Sequence, residues 1–214
     1  MASRRKGPRS PVYERDQNPT AFSKILDELC RRTSARGAAL VDAEGETVDY
    51  GGILAPFDVR VLAAELRLLQ QHLGEAAVLG SAYELVIRAR KKSFLVQVLP
   101  DGYALVLELP RRASRVSERA LSVCIRRLCA EAGFEPPRRF AGGWREIEVQ
   151  ELPGGSRRPT GAVVDGVQAS LIVLGRLAPL IVTRERGFRV RLGTGQEGNL
   201  VREPLGRWYL EEDA

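Results

Sequence analysis

Residues 22–52 read FSKILDELCRRTSARGAALVDAEGETVDYGG, and this stretch decides the fold. Phe22, Ile25, Leu26, Leu29 and Cys30 recur at three- and four-residue intervals, the spacing of one helical face. Asn18-Pro19 ahead of them offers a cap and a first-turn proline, and Gly37 stops the helix. The pattern then changes. Residues 38–42 (AALVD) and 47–50 (TVDY) are short strand-like runs about the turn Ala43-Glu44-Gly45-Glu46, and Gly51-Gly52 ends the hairpin.

Outward from this core stretch the same signals continue. Pro56 opens a second helix and Gly74 closes it. Three strands are expected next. Tyr83, Leu85 and Ile87 alternate with Glu84, Val86 and Arg88, the pattern of a half-exposed strand. Residues 94–99 (FLVQVL) and 103–109 (YALVLEL) are apolar on both faces apart from Gln97 and Glu108, so both faces need cover. Pro100-Asp101-Gly102 makes the tight turn between them. A third helix, capped by Ser114 or Ser117, carries Leu121, Cys124, Ile125, Leu128 and Cys129 on one face. Gly133 ends it, and Pro136-Pro137 follows as a boundary. Beyond it, residues 145–152, 169–177 and 188–192 are short β-like runs broken by Gly and Pro, the texture of a small β-rich module. The expected domains are a basic leader over residues 1–17, an α+β domain over 18–135 and the β-rich module over 138–214.

The order helix, two strands, helix, three strands, helix resembles the roadblock/dynein-light-chain family over about residues 20–134. The match is strongest in residues 22–52: an amphipathic first helix, the Gly37-Ala38-x-Leu40-Val41-Asp42 strand, and the Asp-x-x-Gly turn at Asp42 to Gly45. The resemblance implies a five-stranded antiparallel sheet with helices one and three on one face and helix two on the other. It further implies dimers that pair third strands edge to edge and second helices face to face. Bacterial relatives of this type regulate or scaffold small Ras-like GTPases, including polarity and motility switches. Residues 138–214 lie outside the resemblance.

Helix two supports that picture from its own residues. Leu62, Leu66, Leu69 and Leu73 form one stripe. Val61 and Leu68 lie about 100° away from it at 3.6 residues per turn, so the apolar arc is wider than one sheet contact requires. We therefore assign Leu62, Leu69, Tyr83, Leu85 and Ile87 to dimerisation. Arg60, Val61, Arg67 and Leu68, apolar anchors beside arginines, are assigned to partner docking. Burial of the whole helix within one subunit is the alternative.

Composition narrows the function. Hydrophobic residues make up 44% of the 214, a globular balance. Of the net charge of +6, the first fifteen residues hold +4: Arg4, Arg5, Lys6, Arg9 and Arg15 against Glu14. This leader is either a solvated tail, the reading Pro8 and Pro11 favour, or an electrostatic arm. No apolar run reaches the length of a membrane span, and the start has no apolar signal core. Cys30, Cys124 and Cys129 fall in helical patterns and read as buried thiols of a cytoplasmic protein.

No catalytic residue, cofactor site or metal site is expected. His72 is the single histidine, placed near a helix end where capping is the usual role. Residues 193–198 (GTGQEG) match G-x-G-x-x-G, but Pro204 and Gly206 follow in place of the helix a dinucleotide site needs. They read as a β-hairpin loop. Trp144, Phe188, Trp208 and Tyr209 lie among Arg189, Arg191 and Arg207. That mixture suits a small β-domain core, or, as the alternative function, stacking on single-stranded nucleic acid.

Overall fold

The computed structural model describes residues 13–75, 82–111, 116–152, 158–177, 185–204 and 206–212. The expected leader charges at Arg4 to Arg9 and the alternative cap Ser114 lie outside these. The described residues divide into two compact units. One takes those up to Val116 together with Arg127–Glu135; the other takes Ser117–Arg126 and those from Pro136 on.

The first unit begins with helix α1, Ala21–Thr33. Its cap is Thr20, not Asn18: the Thr20 hydroxyl accepts from the Ser23 amide at 3.2 Å, and Ser23 Oγ accepts from the Thr20 amide at 2.8 Å. This reciprocal box satisfies two donors that a cap at Asn18, two residues further out, would leave unpaired. The helix ends on Ser34 in the left-handed conformation, φ 58°. Gly37 therefore opens the first strand; it does not stop the helix.

Strands β1 (Gly37–Val41) and β2 (Thr47–Gly52) form the expected hairpin. Helix α2 (Pro56–Glu75) follows, then β3 (Glu84–Arg88), β4 (Lys92–Val98) and β5 (Ala104–Pro110). The strands make one antiparallel sheet in the order β2-β1-β5-β4-β3. One face, with Ala39, Val41, Tyr50, Val96, Ala104 and Val106, packs against Val59, Ala63 and Leu66 of α2. The alternate residues Ala38, Leu40, Leu105 and Leu107 point the other way and are equally buried. On that side α1 lies so close to β2 that a Cβ on Gly51 would sit 2.6 Å from the Asp27 amide nitrogen. Helix α3 (Glu118–Ala132) ends in this unit, where Arg127 ion-pairs with Glu28 of α1. Gly133, φ 81°, terminates it.

The first turns of α3 group with the second unit. Ser117 caps them, accepting from the Ala120 amide at 3.0 Å. The hydroxyl of Ser122 donates to the Phe140 carbonyl at 3.3 Å, and Arg126 donates to the Trp144 carbonyl. The rest of this unit is a closed antiparallel barrel of six strands: β6 (Gly143–Glu151), β7 (Pro159–Val164), β8 (Val167–Arg176), β9 (Arg186–Leu192), β10 (Glu197–Arg202) and β11 (Trp208–Glu212). Each strand pairs with the next, and β11 returns to β6. Every second residue fills the interior: Ile147, Ala162, Leu171, Phe188, Val190, Leu192, Leu200, Trp208 and Leu210. Closure removes the edges that short strands would otherwise expose.

Candidate interaction surface

Helix α2 has two apolar sides, and they do different things. The inner side is Val59, Ala63 and Leu66, with Leu62 partly buried against the same core. The outer side carries Phe57, Val61, Leu68 and Leu69, exposed at 74%, 40%, 49% and 43%. Phe57, Val61, Ala64 and Leu68 follow one another at intervals of four, three and four residues. That spacing keeps them in one line along the helix, the same spacing that paired helices use where they meet. The expected stripe Leu62-Leu66-Leu69-Leu73 thus divides: Leu66 belongs to the core, Leu62 half to it, and Leu69 to solvent. Phe57 was not singled out from the sequence, although its spacing to Val61 and Leu68 held the signal.

The two expected arginines also part company. Arg60 is on the surface and ion-pairs with Asp16 at 2.9 Å. Arg67 is not an exposed flank of a docking patch; it is 5% exposed. Its guanidinium donates to the Gly102 carbonyl at 2.5 Å, to Gln70 Oε1, and more weakly to the Asp42 carbonyl at 3.4 Å. Gln71 beside it donates to the Ala43 carbonyl at 2.6 Å. These bonds tie α2 to the β1–β2 turn and to the β4–β5 turn, carbonyls that no strand neighbour satisfies. Burial lowers the pKa of Arg67, with the nearby Asp42 acting against it.

β3 is an edge strand, as the Tyr83–Ala89 alternation suggested. Leu85 and Ile87 face the α2 core and are partly buried there, so their side chains are already engaged. Tyr83 and Val86 are the exposed ones, at 69% and 47%. The Tyr83 carbonyl accepts from the Val98 amide and the Ala89 amide donates to Lys92, both at 2.9 Å. Antiparallel alternation then turns the amides and carbonyls of Glu84, Val86 and Arg88 away from β4, toward the open side.

Residues 193–198 form the β9–β10 hairpin turn, with Gly195 at φ 89° and its amide on the Leu192 carbonyl. His72 bonds the Leu68 carbonyl through Nδ1 at 2.7 Å. Phe188, Trp208 and Tyr209 are buried, which removes them as a stacking platform. Trp144 lies under Arg119 at 4.4 Å. Arg189 and Arg191 both pair with Glu197. Glu203, buried beside Ser117 and Arg119, has its pKa raised first by desolvation, against which those two partners act. The three cysteines are buried and stand outside any disulfide, with Cys30 pushed up to about 12 by burial. Among the described residues no group of acidic, His and Cys side chains could hold a metal, and no helix is long and apolar enough to cross a membrane.

The strand order, with α2 on one face and α1 on the other, makes the first unit a roadblock-like domain. No protein-family description and no curated protein matches the chain. Solved structures do. Myxococcus xanthus MglB is 17% identical, covered over 98% of its length by 55% of this chain, TM-score 0.47. The gliding protein MglB of Thermus thermophilus is 24% identical, with 73% of it and 44% of this chain covered, TM-score 0.37. A Roadblock/LC7 domain from Streptomyces avermitilis is 18% identical, with 80% and 43% covered, TM-score 0.38.

Proposed function

We propose that this protein is a non-enzymatic, dimeric regulator or scaffold of bacterial cytoplasm that pairs through α2 and β3 and docks a small Ras-like GTPase of a polarity or motility system. The observation that carries the reading is the outward seam Phe57, Val61, Ala64 and Leu68 on a helix whose inner side is already full. An exposed apolar line of this length on a soluble domain marks a binding surface. Burying a half-exposed large side chain contributes about 1 kcal/mol, so Phe57, Val61, Leu68 and Leu69 from two copies supply about 8 kcal/mol gross. Association costs on the order of 4–15 kcal/mol. The helices alone are therefore marginal, and backbone pairing of the β3 edges supplies what they lack.

The GTPase is what the roadblock resemblance implies, and Arg60, beside the paired helices, is its proposed contact; Val61 and Leu68, assigned to docking from the sequence, serve the helix pair in this reading. Arg67 positions α2 and is not itself a contact. The experiment is capture of a purified bacterial Ras-like small GTPase, comparing the wild type with Arg60→Glu, and with Val61→Glu combined with Leu68→Glu. Arg60→Glu is expected to lower capture several-fold, by reversing local charge, without separating the pair. The double variant should abolish capture as well, by separating the paired helices that carry Arg60. Full capture by a folded double variant would move the docking site off α2.

A further inference from the structure

The sheet has two edges, and the chain treats them differently. At the β2 edge, the Ile53 amide donates to the Arg36 carbonyl at 2.8 Å. Antiparallel alternation from that bond makes Ala39–Tyr50 and Gly37–Gly52 the pairs without mutual hydrogen bonds. The amides and carbonyls of Tyr50 and Gly52 therefore point outward. Side chains reach them. The Tyr50 amide donates to Asp49 Oδ1 at 2.7 Å, and the Gly52 amide to Asp27 Oδ1 at 2.7 Å. The Tyr50 carbonyl accepts from Arg15 at 2.5 Å.

Arg15 comes from the segment just before α1, and that segment is fastened. Arg15 ion-pairs with the buried Asp49, which also accepts from the Thr20 hydroxyl. Its guanidinium lies 4.2 Å over the Tyr50 ring. Asp16 accepts from the Tyr50 hydroxyl at 2.5 Å and from Arg60 at 2.9 Å. The Tyr50 bond first, and Arg60 after it, lower the Asp16 pKa. At the β3 edge nothing comparable reaches Val86 among the described residues.

We propose that Arg15 and Asp16 form a strap that masks the β2 edge against a second copy of this chain, so that assembly stops at a closed pair. The occupant follows from the other edge: in the closed pair each β3 is already taken by its partner, so the edge that a bared β2 meets is the β2 of another pair. Each β2 presents amides and carbonyls outward at Tyr50 and Gly52, at the two-residue interval of a pleated strand. Because every pair carries two such edges, the contact does not close and runs on into a chain of copies. The inference rests on β3 being the pairing edge.

The test is the mass of the full-length protein by light scattering over about 5 to 100 µM, where dimers of ordinary stability are formed. Arg15→Ala combined with Asp16→Ala is expected to give a mass that climbs with concentration to several times the wild-type plateau. Adding Val86→Pro, which removes a donor from β3, should stop the climb. Should the alanine pair fail to fold, Arg15→Lys with Asp16→Asn loosens the same strap more gently and should climb less. Strap variants that are folded yet match the wild type at every concentration overturn the proposal. A wild type that is monomeric throughout overturns instead the pairing at β3, so the two failures are distinct.

Discussion

Replacing Arg67 by Met separates a positioning role from a docking role. Met keeps an unbranched apolar stem in the same space and removes every donor. Two well-directed bonds are lost, to the Gly102 carbonyl and to Gln70; the third, at 3.4 Å to Asp42, is long enough to count for little. A bond from a charged donor contributes about 1.5 kcal/mol net, which gives a loss of about 3 kcal/mol. Removing a desolvated cation returns about 1 kcal/mol of that. The first unit should therefore lose about 2 kcal/mol, read as a lower urea midpoint, and its Tm should fall by about 4–8 °C. At temperatures where it is folded, the variant should capture its partner as the wild type does. A solvent-exposed docking arginine predicts the reverse: stability within about 0.5 kcal/mol and poor capture. That pair of results would refute the assignment.

Two further variants test the packing. Gly51→Ala puts a methyl 2.6 Å from the Asp27 amide nitrogen; α1 must shift, and thermal denaturation should show a loss of about 1–3 kcal/mol. Glu203 has a folded pKa raised above its ordinary 4.5, chiefly by burial. The folded state then holds this proton more tightly than the unfolded one, so the stabilisation is complete below pH 4.5 and is lost as the pH rises through the folded value. Glu203→Gln, which keeps an acceptor for Ser117 and Arg119, should flatten that decline in urea titrations run from pH 4 to 7; an unchanged slope would contradict it.

The element order was legible because strong periodicities met strong punctuation. Leu26, Leu29 and Cys30 repeat at helical spacing, Gly45 and Gly102 mark turns at positive φ, and Gly133 ends α3. What was not legible depended on partners distant in sequence. A long cation on a helix defaults to the surface, and only the tertiary fold brings the carbonyls of Asp42 and Gly102 to Arg67. Arg15 reads as one more leader charge until Asp49 and Tyr50 are seen beside it. Thr20 outcompetes Asn18 as a cap because Ser23 stands three residues on, a pairing the sequence did contain. The β-rich texture of residues 138–214 was visible, but closure of the barrel needs β11 to find β6 some sixty residues away, and no local pattern announces that. Ser117 was one of two serines expected as the cap, while the grouping of the first turns of α3 with the barrel was not foreseen.

Self-association through α2 and β3 stands at the centre of this account. Light scattering on the full-length wild type at about 20 µM, well above the dissociation constant of an ordinary stable dimer, measures it directly. A mass twice that of the chain, falling to that of one chain when Val61→Glu, Leu68→Glu and Val86→Pro are combined in a folded protein, is the predicted result. A wild type that runs as a single chain would contradict the account.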